Sequence, residues 1–183
     1  ACAGVAFTID PDSGFGEVIF INGSWGLGDN VVGGVVNGDQ YYISKHLLEK
    51  DKPAIVHKAL GTKKKTLVFS SDTSEHTTQN EETPEDKRRR FILDDEEVLT
   101  LARWSKQIED HYSRPMDIEW AKDGNSGDLY IVQARPETVH SSQEEENKIL
   151  EYSLKEEGKV LVKGNGIGDK IGAGVARILH DPG

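Results

Sequence analysis

Apolar and polar residues alternate in short runs along most of this chain, and one segment alone carries a sustained helical spacing. Gly4 to Asp10 alternates weakly and predicts a strand, closed by a turn at Asp10–Gly16 that contains Pro11, Ser13 and Gly14. Glu17 to Asn22 predicts a second strand. GSWGLGDNVVGGVV follows, with a short helix expected after Asp29, and Gln40 to Lys45 is a further strand. Ala54 to Ala59 and Thr66 to Ser70 bracket the basic stretch GTKKK and read as a hairpin with a solvated tip at Lys63 to Lys65. Ser71 to Arg90 is polar and charged, which predicts an exposed loop. Asp94 or Asp95 then caps a helix running to about Tyr112. Glu97 stands three residues after Asp94, as in a capping box. Val98, Leu101, Ala102, Ser105, Ile108 and Tyr112 fall on one face of that helix.

The next stretch, RPMDIEWAKDGNSGDLYIVQARPETV, predicts a β-hairpin with chemistry on one side. Met116, Ile118 and Trp120 alternate with Asp117 and Glu119, the period of two that a strand requires. After a loop rich in Gly, Asn and Asp, Leu129 to Arg135 forms the return strand, with Gln133 and Arg135 on one side of it. If Ala121 stands opposite Leu129, Asp117 faces Gln133 and Glu119 lies diagonal to it. Two carboxylates, an amide oxygen and a guanidinium then converge. Hard oxygen donors suit Mg²⁺, and a fixed planar cation suits phosphate. The same alternation describes an ordinary charged sheet face, and a one-residue bulge would send the two polar pairs to opposite faces.

Composition narrows the partners. At 183 residues, with 36% apolar and 30% charged residues, the chain is long enough for one sizeable domain, or for a domain and a piece of another. A formal net charge of −10 argues against a nucleic-acid binder and against attachment to an anionic membrane. A single cysteine, Cys2, excludes an internal disulfide and a cysteine metal cluster, and fits a reducing, cytoplasmic setting. No apolar run reaches the ~18 residues of a membrane helix. SSQEEE marks a linker, so the organisation reads as 1–140, a linker at 141–157, and the opening of a β-rich unit at 158–183. The opening ACAGVAFTIDP reads as sequence cut from something larger.

Other motifs carry less. Gly23 to Gly34 offers bare backbone N–H groups and a helix start, which serve equally as an anion cradle or a tight packing turn. GNGIGDKIGAG, Gly164 to Gly174, has spaced glycines but no clear following helix, which favours a structural role. The six histidines show no paired metal spacing.

Taken in order, GVAFTIDPDSGF, INGSWGLGDNVVGGVVNGDQYYISK and RPMDIEWAKDG…LYIVQARPETV closely resemble the nucleotide-binding domain of the phosphoenolpyruvate synthase (pyruvate, water dikinase) family. The tail GKVLVKGNGIGDKIGAGVARILHD resembles the entry to that family's swivelling phosphohistidine domain. The resemblance implies an α+β fold: part of an ATP-grasp domain with a mainly antiparallel sheet and one long helix, followed by the start of a β-rich swivelling domain. It implies MgATP as the ligand, and transfer of the β-phosphate through a histidine to pyruvate, giving phosphoenolpyruvate, AMP and phosphate. Residue by residue, Glu119 and Gln133 match Mg²⁺ and nucleotide-phosphate ligands. Arg135 matches the catalytic arginine on the phosphates, and Asp117 sits beside them as a further nucleotide-site candidate. The other ATP-grasp half and the phosphorylated histidine match nothing here, so the chain alone is expected to be inactive. Pyruvate, phosphate dikinase, a related small-molecule phosphotransferase, or a non-catalytic interaction module stand as alternatives.

Overall fold

Strands that are apolar on one side need a cover, and here the amphipathic helix provides it. The computed structural model describes residues 1–70 and 78–138, together with Lys159 and Gly174. Six strands form one sheet: β1 (Cys2–Phe7), β2 (Val18–Trp25), β3 (Asp39–Ser44), β4 (Ile55–Ala59), β7 (Met116–Lys122) and β8 (Leu129–Pro136). Their order is β4-β3-β2-β1-β7-β8, and every pairing is antiparallel. A separate two-stranded ribbon pairs β5 (Lys65–Phe69) with β6 (Thr78–Glu82). Helices α1 (Asp29–Val32), α2 (Lys45–Glu49) and α3 (Glu85–Arg88) are each about one turn long. The long helix is α4 (Asp95–Tyr112). The architecture is α+β, as expected.

The start of α4 is encoded locally. Asp94 Oδ1 accepts from the Glu97 N–H at 2.9 Å, and Glu97 Oε2 accepts from the Asp94 N–H at 3.0 Å, closing the capping box. Asp95, Glu96 and Glu97 place negative charge at the positive end of the helix dipole. The helix ends at Ser113, in the left-handed conformation with φ 53°. Val98, Leu101 and Ala102 are buried against Ile19, Ile21, Tyr41, Ile43, Met116, Ile118 and Trp120. Each valine, leucine, isoleucine or methionine among them contributes ~1.5–3 kcal/mol when fully buried. Gly23 makes room for the largest of them: a Cβ there would lie 2.6 Å from the Trp120 ring and 2.7 Å from Ile92 Cδ1. Trp120 Nε1 donates to the Val5 carbonyl at 3.1 Å, so the indole is both packed and hydrogen-bonded.

Three expectations are corrected. Strands β4 and β5 do not form a hairpin: β4 edges the large sheet, while β5 leaves it to pair with β6. In the GTKKK connector Lys64 and Lys65 are exposed as expected, but Lys63 is not. The Lys63 side chain is fully buried in an ion pair with Asp39. That same carboxylate accepts from the Gly61 N–H at 2.8 Å and the Ile92 N–H at 2.9 Å, tying three segments together. A buried ammonium needs such a partner, and the partner stands 24 residues away. Part of the polar stretch Ser71 to Arg90 is ordered as β6 and α3. Strand β6 is polar and largely exposed, so it lacks the alternation that marks a half-buried strand. The expected linker and β-rich tail lie outside the described residues, Lys159 and Gly174 apart. Among the described residues no helix is long and apolar enough to cross a membrane.

Candidate functional site

Even-numbered residues of β7 face α4, so its odd-numbered residues stand on the other side of the sheet. Asp117 and Glu119 are half-buried there, while Gln133 and Arg135 are exposed. The pairing differs from the expected one: Glu119 stands directly opposite Gln133, and Asp117 directly opposite Arg135. The hairpin begins with Lys122 opposite Leu129, not Ala121, and the register shifts between Glu119 and Trp120. Leu129 and Ile131 pack against the core. Strict alternation from them would turn Gln133 and Arg135 toward α4 as well. The bulge at Val132 adds one residue and puts both on the face of Glu119 and Asp117. The feature that would have dispersed the four groups is what assembles them.

Opposed side chains in such a pair start about 5 Å apart at Cβ. Arg135 Nε donates to Asp117 Oδ2 at 2.8 Å, and its Nη2 approaches the same oxygen at 2.7 Å. The Arg135 side chain is 60% exposed and that of Asp117 12%. Asp117 is therefore committed to orienting the guanidinium, whose outer edge stays open to solvent. The hydrogen bond and charge of Asp117, with a smaller contribution from Glu119, push the Arg135 pKa further above its ordinary value. Glu119 and Gln133 have no hydrogen-bonded partner among the described residues. Both offer free hard oxygens.

Among the described residues no cluster of three or more His, Cys, Asp or Glu could hold a metal alone. Glu119 and Gln133 supply two oxygen donors between them. That set fits Mg²⁺, which takes one or two protein oxygens and completes its shell with phosphate oxygens and water.

The face continues across the sheet. Phe7, Phe20, Tyr42 and His57 extend the row of Arg135 and Asp117, with Phe20 and Tyr42 ring centroids 4.9 Å apart. Burial, helped by Asp10 and Asp12 in the neighbouring turn, raises the Tyr42 hydroxyl pKa. The glycine-rich loop serves packing at Gly26, whose φ of +83° and close approach to the Leu67 carbonyl admit no side chain. A cavity of about 260 Å³ lies away from the hairpin, lined in part by Lys45, Lys106 and Glu109. Its lysines are matched by carboxylates, Lys45 to Glu109 at 2.7 Å and Lys106 to Asp110 at 2.6 Å, which leaves them little pull on an anion.

Residues 1–156 match the family described as the pyruvate phosphate dikinase AMP/ATP-binding domain. The chain belongs to that family. It is similar to phosphoenolpyruvate synthase of Escherichia coli, 48% identical over 99% of this chain. It is 46% identical to phosphoenolpyruvate synthase of Helicobacter pylori over 98% of the chain. A probable phosphoenolpyruvate synthase of Methanocaldococcus jannaschii is 38% identical over the same share. The chain spans 23% of the length of the first two relatives and 14% of the third. The whole β7–β8 hairpin lies inside the part that matches the dikinase AMP/ATP-binding domain. The sequence reading missed the Asp39–Lys63 pair, and no local pattern marks it. Lys63 looked like one of three equivalent lysines in a turn.

Proposed function

We propose that this chain supplies one wall of the MgATP site of a pyruvate, water dikinase. In this reading residues 1–140 are the C-terminal part of an ATP-grasp domain, 141–157 a linker, and 158–183 the start of a swivelling phosphohistidine domain. The enzyme would work in the cytoplasm. The observation that carries the reading is the hairpin: two opposed polar pairs on one face, inside an AMP/ATP-binding family domain.

The geometry supports a role for each group. Arg135, held from behind by Asp117, presents its free N–H edge to the phosphate oxygens. Glu119 and Gln133 would hold Mg²⁺, and the ion would supply charge neutralisation at the phosphates. In this reading the β-phosphoryl group of ATP passes to a histidine outside this chain with release of AMP, water takes the γ-phosphoryl group to give phosphate, and the phosphohistidine then passes its group to pyruvate to give phosphoenolpyruvate. Positioning and charge neutralisation account for most of the catalysis of such a transfer. Pyruvate and the histidine are bound elsewhere, so the chain alone is inactive.

The test is AMP formation by the full-length protein that carries this chain. Glu119→Gln and Arg135→Ala should each lower it by about 100-fold or more, as the loss of one group aimed at developing charge does. Unchanged AMP formation in both variants would overturn the assignment.

A further inference from the structure

Residues 28–38 stand on the same side of the sheet as the polar face of the hairpin. Ala3 pairs with Ala121 and Ser24, and Val5 with Glu119 and Asn22, so all of these share that side. A Cβ on Gly28 would lie 3.7 Å from Ala3 Cβ, and one on Gly38 would collide with Asn22 Oδ1. The stretch from Gly28 through α1 to Gly38 therefore lies over β1 and β2 as a wall beside β7. Neighbouring strands are ~4.8 Å apart, so the wall starts one strand from Ala121 and ends two strands from Glu119. Within it the Val35 and Val36 N–H groups donate to the Asn30 carbonyl at 2.9 and 3.2 Å, which folds it into one piece.

The far end of the wall is tied to the connector that follows β4. Asn22 Oδ1, buried under Gly38, has no hydrogen-bond partner among the described residues, so that side chain does not hold the wall down. The Lys63 N–H donates to the Asn37 carbonyl at 3.0 Å, and the Thr62 N–H donates to Asn37 Oδ1 at 3.2 Å. Gly61 packs so closely on Gly38 that a Cβ on it would collide with the Gly38 carbonyl.

Lys63 gives the connector its shape. Its φ of 41° lies in the left-handed region, where a lysine is strained. Its ammonium is buried against Asp39 and also donates to the Gly61 carbonyl at 3.2 Å. Strained backbone and buried charge meet in one residue, and each persists only where its surroundings fix it. A turn residue with an exposed side chain would join β4 to β5 without either.

We propose that Lys63 is a positioning residue. Its buried pair with Asp39 fixes the connector, and through Asn37 and Gly38 the connector fixes the height of the wall beside the hairpin face. Lys63 acts only through these contacts and touches no ligand. The proposal rests on the reading of the hairpin as the MgATP site.

The experiment follows AMP formation by the full-length protein as MgATP is varied. In Lys63→Met the wall loses its fixed height, while Asp117, Glu119, Gln133 and Arg135 keep their places. The KM for MgATP should rise about tenfold with kcat within about threefold, because a displaced wall weakens binding and the groups at the phosphates are untouched. Asn37→Ala removes one tie between wall and connector at an exposed position, and should raise the KM about threefold. Leu101→Ala is the control. It loses at least as much stability from the buried face of α4, and its KM should stay within about twofold. An unchanged KM in Lys63→Met, or an equal rise in Leu101→Ala, would overturn the proposal. If Lys63→Met does not fold, Asn37→Ala decides in its place against the same control. Glu119→Gln and Arg135→Ala separate the two readings. If both leave AMP formation unchanged, the hairpin is not the metal–phosphate site and both readings fall. If they lower it while Lys63→Met keeps its KM, the role of Lys63 alone falls.

Discussion

Replacing Asp39 with alanine should do more damage than any other single loss of a charged group in the described residues. Asp39 and Lys63 have side chains with no solvent exposure. The carboxylate also accepts from the Gly61 and Ile92 amides at 2.8 and 2.9 Å. Removing one partner of a buried pair leaves the other charge uncompensated, at a cost of ~3–5 kcal/mol. Each of the two orphaned amides adds ~1–3 kcal/mol if it stays dry. These costs do not add in full, because Lys63 sits in a connector and can swing out to water. A loss of about 4–5 kcal/mol is therefore expected, against a total stability of ~5–15 kcal/mol for a domain. Lys63→Met should cost less, since Asp39 keeps its two amide donors. The double variant should be less damaging than the sum of the single ones, with a coupling of ~2 kcal/mol. Urea unfolding followed by tryptophan fluorescence reads all three, with the buried Trp120 as reporter. A loss under ~1 kcal/mol in Asp39→Ala would refute the reasoning, because it is what a solvated surface pair gives.

Three further outcomes are expected. Asp117→Ala should cost no more than ~1 kcal/mol in urea unfolding, because Arg135 stays open to water, but lower AMP formation by the full-length protein about tenfold or more, because a misaimed binding group costs rate; a larger loss of stability with unchanged AMP formation would reverse that assignment. Gly23→Ala should destabilise the chain by ~1–3 kcal/mol through overpacking against Trp120 and Ile92, measured by the same unfolding curve, and a neutral result would mean that the indole can shift. Burial raises the Cys2 thiol from 9.0 to about 11, chiefly by desolvation. The unfolded chain then ionises first. The contribution of Cys2 is present below pH 9 and is lost as pH rises from about 9 to about 11, by up to ~3 kcal/mol at 1.36 kcal/mol per pKa unit. Cys2→Ala should flatten the stability–pH curve over that window, and an unchanged slope would place its origin elsewhere.

Sequence pattern served best where the determinants are local. The capping box of α4 is spelled by Asp94 and Glu97, three residues apart, and the helix begins where they place it. The existence of the β7–β8 hairpin and the membership of its polar face were legible from alternation and from the resemblance. Its register was not. Periodicity fixes which residues share a side within one regular run, and Val132 interrupts the run. The fate of β4 and β5 was hidden for another reason. Two short strands around a basic stretch look like a hairpin unless it is known that Asp39 draws Lys63 inward. Strand β6 escaped because both its sides are largely wet. A strand held in a two-stranded ribbon needs no apolar stripe to be ordered by its neighbour.

The bulge at Val132 also gives β8 a mechanical property. A regular strand transmits a slip of one residue along its whole length, turning every side chain over. In β8 the two halves run in different phase, Leu129 to Ile131 seated on the core and Gln133 to Arg135 on the opposite face. The unpaired residue between them acts as slack. A small slip in the packed half can be absorbed there before it reaches the ligand-facing half. A substitution that shifts Leu129 to Ile131 against the core would then leave Gln133 and Arg135 in phase with Glu119 and Asp117.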